Sequence, residues 1–213
     1  MKIEKAFKGF NTPKIKAGYL KPYENNFEKY RNKVKMFCEL GVSHGASLIA
    51  WKKYFPNAHI VGIDNDIKTC RPELIDGHGF PNFAKKYLGD KSKDISIEIG
   101  DAMDKDFLKI TAEKYGGFDI ILDDCSHLGI QMQTSFEVLW KYTKFVYAIE
   151  DLQTQLYSKY IKDGNFIDYM KTLVVGEIVS VQDKKTFTST KKTISQIDIE
   201  NYIVFIHKIR GDI

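Results

Sequence analysis

Two acid-bearing stretches in the middle of the chain carry the residue types of a chemical site. The first, FDIILDDCSH (118–127), sets Asp123, Asp124 and His127 directly after an apolar run. The second, KFVYAIED (144–151), ends another apolar run in Glu150 and Asp151. If both runs are neighbouring strands of one sheet, four carboxylates and an imidazole share a rim. Carboxylates so crowded repel one another unless a cation neutralises them. An oxygen-rich donor set of this kind suits Mg²⁺, which keeps positions open for water or substrate oxygens. Such an ion lowers the pKa of a bound hydroxyl, and His127 is placed to take the proton as general base. The competing reading is structural: acids after a strand cap the next helix, here with Ser126 as the cap residue. Two acidic pairs on adjacent strand ends favour the metal. Cys125 has no base or cationic neighbour in sequence to activate it and reads as a packing residue.

Bringing those strand ends together is the work of an α/β sheet. Runs rich in β-formers at 33–40, 58–64, 94–101, 118–124 and 144–151 alternate with helical stretches after Gly45, near 80–88, at 104–115 and at 130–142. That alternation predicts an α/β fold with a largely parallel sheet. Near the end, TISQIDIE (193–200) and NYIVFIHKI (201–209) abut almost without a break, which predicts an antiparallel C-terminal hairpin at one sheet edge. The sum is a Rossmann-like, seven-stranded, mostly parallel sheet. Residues 152–172 hold a further helix, or a loop and a helix, over the sheet end. Residues 1–30 lack a clear strand and read as an N-terminal arm or lid, with 31–213 as the main domain. Trp51, Tyr54 and Phe55 lie at helical spacing, as a core stripe or as the interface of a homo-oligomer. In open sheets of this kind ligands bind beyond the carboxyl ends of the strands.

At that same end, ELGVSHGAS (39–47) follows the first strand. Gly41 and Gly45 let a ligand approach the backbone, and the helix starting near Ser47 offers free N–H groups. The second strand ends in Asp64, where an acid accepts both hydroxyls of a ribose; the third ends in Gly100, Asp101 and Ala102. An adenosine-type ligand fits this set. A dinucleotide fingerprint requires G-x-G-x-x-G, whereas residues 41–46 read GVSHGA, without the middle glycine. Glu39, two residues before Gly41, is suited to a cationic ligand and poorly suited to phosphate. Charge therefore favours S-adenosylmethionine, with its sulfonium and ammonium, over NAD.

Composition narrows the partners. The 213 residues carry 32 basic and 28 acidic side chains, a net charge of +4 with the lysines scattered, so no nucleic-acid footprint is expected. No stretch approaches the ~20 apolar residues of a membrane span and no start resembles a signal peptide. The three cysteines, Cys38, Cys70 and Cys125, form no CxxC pair. A cytoplasmic location is the expectation.

Four segments together resemble a known group: FCELGVSHGASLIAWKKYFPNAHIVGIDND, IEIGDAMDKDFL, FDIILDDCSHLGIQMQTSFEVLW and AIEDLQT. They are similar to the metal-dependent sugar O-methyltransferases of class I, the group of the mycinamicin and macrocin O-methyltransferases, over roughly residues 12–155. The D-D-x-S-H and I-E-D-L blocks are the most specific. The resemblance implies an S-adenosylmethionine site at Glu39, Gly41, Gly45, Ser47, Asp64, Asp101 and Ala102, with Mg²⁺ held by Asp124, Glu150 and Asp151 and His127 as base. It places Asp123 on the cofactor side or in the loop. NTPKIKAGYLKPYE (11–24) loosely matches a segment that covers the cofactor, with Gly18, Tyr19 and Tyr23 as its remnants. Cys125 and Ala46 stand where the family pattern has glycine. The implied acceptor is a hydroxyl of a sugar, nucleotide-sugar or glycoside, as in surface polysaccharide or natural-product tailoring. Remaining alternatives are a phosphorylated or phosphoramidate-type acceptor, a nucleotide-dependent oxidoreductase and a non-catalytic S-adenosylmethionine-binding module.

Overall fold

The computed structural model describes residues 1–66, 80–179 and 193–209; Cys70 lies outside these. Among them, each apolar run that ends in an acid becomes a strand: β1 (Met36–Leu40), β2 (His59–Asp64), β3 (Ile95–Ile99), β4 (Phe118–Asp123) and β5 (Thr143–Ile149). β6 (Ile194–Glu200) and β7 (Ile203–Lys208) form the hairpin, turned by Asn201 and Tyr202 at φ 46° and 69°, the handedness a two-residue hairpin loop requires. One seven-stranded sheet results, in the order β3-β2-β1-β4-β5-β7-β6. Its first five strands are parallel, and β7 runs antiparallel to both β5 and β6. β4 is buried along its whole length, as a central strand covered on both faces must be.

Register decides what the rim contains. Leu40 pairs with both Ile63 and Asp123, and Asp123 pairs with Ile149. Gly41, Asp124 and Glu150, each one residue further on, therefore leave the sheet side by side. The ladder continues past the strand ends, with Asp124 N donating to Leu40 O at 2.9 Å and Glu150 N to Asp123 O at 3.0 Å.

One face of the sheet is covered by α1 (Ile3–Phe7), α3 (Leu20–Phe27) and α4 (Ala46–Tyr54). Trp51 is the hub of that layer, with its ring against those of Phe7, Tyr23, Phe27 and Phe37. Trp51, Tyr54 and Phe55 are fully buried, so the aromatic stripe is core and no interface. Phe7, Tyr23 and Phe27 are fully buried in the same cluster, so much of the expected arm belongs to the body of the fold. The opposite face carries α6 (Lys105–Lys114), α7 (Gly129–Leu139) and α8 (Phe166–Val179), while α5 (Phe80–Leu88) follows β2 in the chain. α6 starts where Asp104 accepts the N–H groups of Asp106 and Phe107, both at 3.0 Å. Between β5 and α8 the chain makes 3₁₀ turns at Leu152–Leu156 and Ser158–Tyr160, the loop-and-helix form expected for that region. No described helix is long and apolar enough to cross a membrane.

Candidate active site

Beyond the carboxyl ends of β1, β2 and β4 lies a cavity of about 880 Å³. The β1–α4 turn (Gly41 to Ser47), the end of β2 (Asp64 to Asp66) and the β4–α7 loop (Asp124 to His127) line it. Its fourth wall is the N-terminal segment Asn11–Lys16, which includes the short helix α2 (Pro13–Lys16). Gly41 has φ +87°, and any Cβ there would collide with the carbonyl oxygen of Asp124. The two loops touch through bare backbone, so the position admits only glycine. Gly45 takes φ +72° immediately before α4, whose first residues are Ala46 and Ser47.

Asp64 holds the β1–α4 turn in place. Its Oδ2 accepts the N–H groups of Val42 at 2.8 Å and Ser43 at 3.0 Å, and its Oδ1 that of Asp66. Glu39 lies beneath the cavity, fully buried, and accepts from Ser47 Oγ at 2.7 Å and Trp51 Nε1 at 3.3 Å. Burial raises its carboxyl pKa, against the pull of Lys14, Ser47 and Trp51. Asp101 is exposed at the end of β3, where it accepts from Met103 N at 2.8 Å; Ala102 is buried, and neither lines the cavity.

The paired aspartates of β4 point into different surroundings. Asp123 is 1% exposed and sits against α7, accepting from Ser135 Oγ at 2.5 Å, Gln131 Nε2 at 3.1 Å and Tyr147 OH at 3.2 Å. Burial pushes its pKa up to about 6, although all three donors pull it down. The structure thus ties Asp123 to helix packing, off the cavity wall; the resemblance put it on the cofactor side or in the loop. Asp124 faces the cavity. Its carboxylate lies with His127 and Asp151 in one group whose ligand atoms are all within 4.8 Å of one another. His127 Nε2 is 3.5 Å from Asp151 Oδ2, and its Nδ1 is buried without a partner.

His127 and Asp151 both have left-handed backbone, φ 60° and 58°. Residues forced into that region are held there by their surroundings, and such strain collects at functional sites. The surroundings here are Gln155 and Thr154, whose side chains donate to the carbonyl of His127 at 2.9 and 3.4 Å. Cys125 is not among the described residues with positive φ, so its backbone accepts a side chain where the family pattern has glycine. Burial pushes its thiol well above the usual cysteine range, which leaves it un-ionised and without a nucleophilic role.

Glu150 is 1% exposed and adjoins Asp124, though it is outside the Asp124–His127–Asp151 group. Its Oε1 accepts from Tyr23 OH and, at 2.6 Å, from Lys14 Nζ. The same ammonium donates to Asp124 Oδ2 and lies 3.3 Å from Glu39 Oε1. Burial alone would depress the Lys14 ammonium; the charges of Asp124, Glu150 and Glu39 reverse this and hold it well above the usual lysine range. Burial, then the charge of Asp124, raises Glu150 well above the carboxylate range. Tyr19 donates to Asp151 Oδ1. Lys14 was missed by reading the sequence. The signal that pointed to it was an excess of carboxylates with no cation to match.

Two carboxylates, those of Asp124 and Asp151, would suit a divalent cation that takes oxygen ligands, with positions left for oxygens from outside and the His127 imidazole beside them. The neighbouring position, between Glu39, Asp124 and Glu150, is filled by the chain's own ammonium.

The fold, with its parallel β3-β2-β1-β4-β5 core and antiparallel β7, is a Rossmann-like methyltransferase fold. The curated relatives that the chain matches are O-methyltransferases by name. It is 33% identical over 141 residues to the mycinamicin VI 2''-O-methyltransferase of Micromonospora griseorubida, covering 62% of this chain and 31% of that protein. It is 30% identical, with the same coverage, to the demethylmacrocin O-methyltransferase of Streptomyces fradiae. The chain thus spans about a third of the length of these relatives. The solved structure of MycE methyltransferase from the mycinamycin pathway, in complex with Mg and SAH, superposes with a TM-score of 0.81 at 24% identity, over 100% of this chain and 55% of that one. No protein-family model matches the chain.

Proposed function

We propose that the chain is an S-adenosylmethionine-dependent O-methyltransferase acting, with a divalent cation such as Mg²⁺, on a hydroxyl of a sugar or nucleotide-sugar in the cytoplasm. One observation carries the reading: Asp124 and His127 line a cavity walled by the glycine turn and Asp64, and Asp151 groups with them. The names of the curated relatives, all O-methyltransferases, support it.

The β1–α4 turn and Asp64 would hold S-adenosylmethionine. Asp124 and Asp151, with Glu150 nearby, would hold the cation. When bound, the cation orients acceptor oxygens and acidifies the hydroxyl. His127 would take the proton from that hydroxyl, whose oxygen would accept the cofactor's methyl group while the sulfonium leaves as a neutral thioether. Asp151, beside His127, stabilises the imidazolium so formed. Holding oxygen and methyl at ~3 Å supplies much of the acceleration.

The test is transfer of a labelled methyl group to a panel of sugars and nucleotide-sugars, with and without EDTA. Transfer that EDTA abolishes and added Mg²⁺ restores is the expected result. Stabilisation of the chain by NAD(H) and not by S-adenosylmethionine in thermal melts would overturn the reading.

A further inference from the structure

Methyl transfer leaves Lys14 without an assignment, although it is among the most constrained side chains of the site. Its ammonium is enclosed, 3% exposed for the residue, between the carboxylates of Glu39, Asp124 and Glu150. Asp124 belongs to two groups at once: it accepts from Lys14 through Oδ2 and stands with His127 and Asp151 in the cluster fit for a cation. Lys14 also lies in the segment Asn11–Lys16, which walls the cofactor cavity. Two cations drawn to one carboxylate repel each other. The ammonium is carried by a short element between two glycines. α2 is only four residues long, and Gly9 and Gly18, on either side of it, both have positive φ. α3 beyond it is anchored in the core by Tyr23 and Phe27.

We propose that Lys14 is an internal counter-ion that antagonises divalent-cation binding at Asp124 and Asp151, beside His127, so that loading the cation loosens the segment walling the cofactor cavity. The inference rests on the metal reading given above. Linkage makes the antagonism reciprocal: the factor by which Lys14 weakens the cation is the factor by which a bound cation weakens the hold on Lys14. Entry of cofactor, or release of product, is then easiest when the metal is bound and the lysine displaced.

Mn²⁺ is the probe, with free ion counted by electron paramagnetic resonance during titration of the full chain. Lys14→Gln is expected to bind Mn²⁺ about tenfold tighter than the unaltered chain, or more. Lys14→Arg, which keeps the charge, is expected to retain the weaker affinity. In parallel, acylation of amines on the unaltered chain, read by mass spectrometry, should label Lys14 more when Mn²⁺ is present. Equal Mn²⁺ affinity in the unaltered and Lys14→Gln chains overturns the inference and leaves the metal reading standing. Absence of Mn²⁺ binding in every chain overturns both. If Lys14→Gln does not fold, judged by circular dichroism, the labelling decides: Lys14 reactivity unchanged by saturating Mn²⁺ sinks the proposal.

Discussion

Asp123 and Asp124 are adjacent in the chain, yet one carboxylate is sealed against α7 by Ser135, Gln131 and Tyr147 while the other meets Lys14 and the cavity. Their substitutions should separate accordingly. Asp123→Ala strands three buried donors and should lower stability by about 1–3 kcal/mol in chemical denaturation. His127 is half-exposed at the cavity rim, where its removal opens no core. His127→Ala should therefore leave S-adenosylhomocysteine affinity near that of the unaltered chain and reduce methyl transfer by about 10²–10⁴-fold, the range for a lost general base. Calorimetry and labelled-methyl assays read the two quantities separately; full turnover in the variant would remove His127 from the chemistry.

At the scale of elements, the site is a meeting of loops whose spacing the sheet sets. The β1–α4 turn and the β4–α7 loop approach so closely at Gly41 that a methyl group there meets the Asp124 carbonyl, and the φ of +87° is itself unfavourable for a side chain. Gly41→Ala combines overpacking with backbone strain and should destabilise the fold by more than about 2 kcal/mol in denaturant melts. Because the displaced carbonyl is that of Asp124, the variant should also lose divalent-cation affinity, measured by the same Mn²⁺ titration. The β4–α7 loop and the turn after β5 share a second constraint. His127 and Asp151 keep their left-handed backbone because Thr154 and Gln155 tie one loop to the other.

For the molecule as a whole, the antiparallel edge contains a buried imidazole that makes stability depend on pH. His207 on β7 is 3% exposed, with Nε2 3.0 Å from Asn26 Oδ1 on α3 and 3.1 Å from Asp198 Oδ2 on β6. Burial and the charge of Lys29 lower its pKa, with Asp198 opposing them. The unfolded chain therefore takes up a proton near the usual imidazole value while the folded chain stays neutral. The associated stability is fully present above that value and is lost as the pH falls through it toward the lower folded value. Thermal melts from about pH 7 down to about pH 5 should show the unaltered chain losing stability faster than His207→Gln. Parallel slopes would mean that His207 does not set this dependence.

Local pattern carried much of the architecture. Apolar runs closed by acids located β1 to β5 to within a few residues, abutting β-runs announced the hairpin, and the spacing of Trp51, Tyr54 and Phe55 marked a buried helix face. These features are legible because strand and helix periods are properties of neighbouring residues. The D-D-x-S-H and I-E-D-L blocks likewise mark the candidate acids and His127 in the sequence itself. Which charges meet was decided by the tertiary structure. Lys14 stands 110 residues from Asp124 and 136 from Glu150, and nothing in the short-range pattern of NTPKIKAGY marks it as different from Lys16. Only strand register and the path of the N-terminal segment put one ammonium among three carboxylates, turned Asp123 inward and Asp124 outward, and bent the backbone at His127 and Asp151. A long-range pairing of buried charges depends on distances that the order of residues along a chain does not contain.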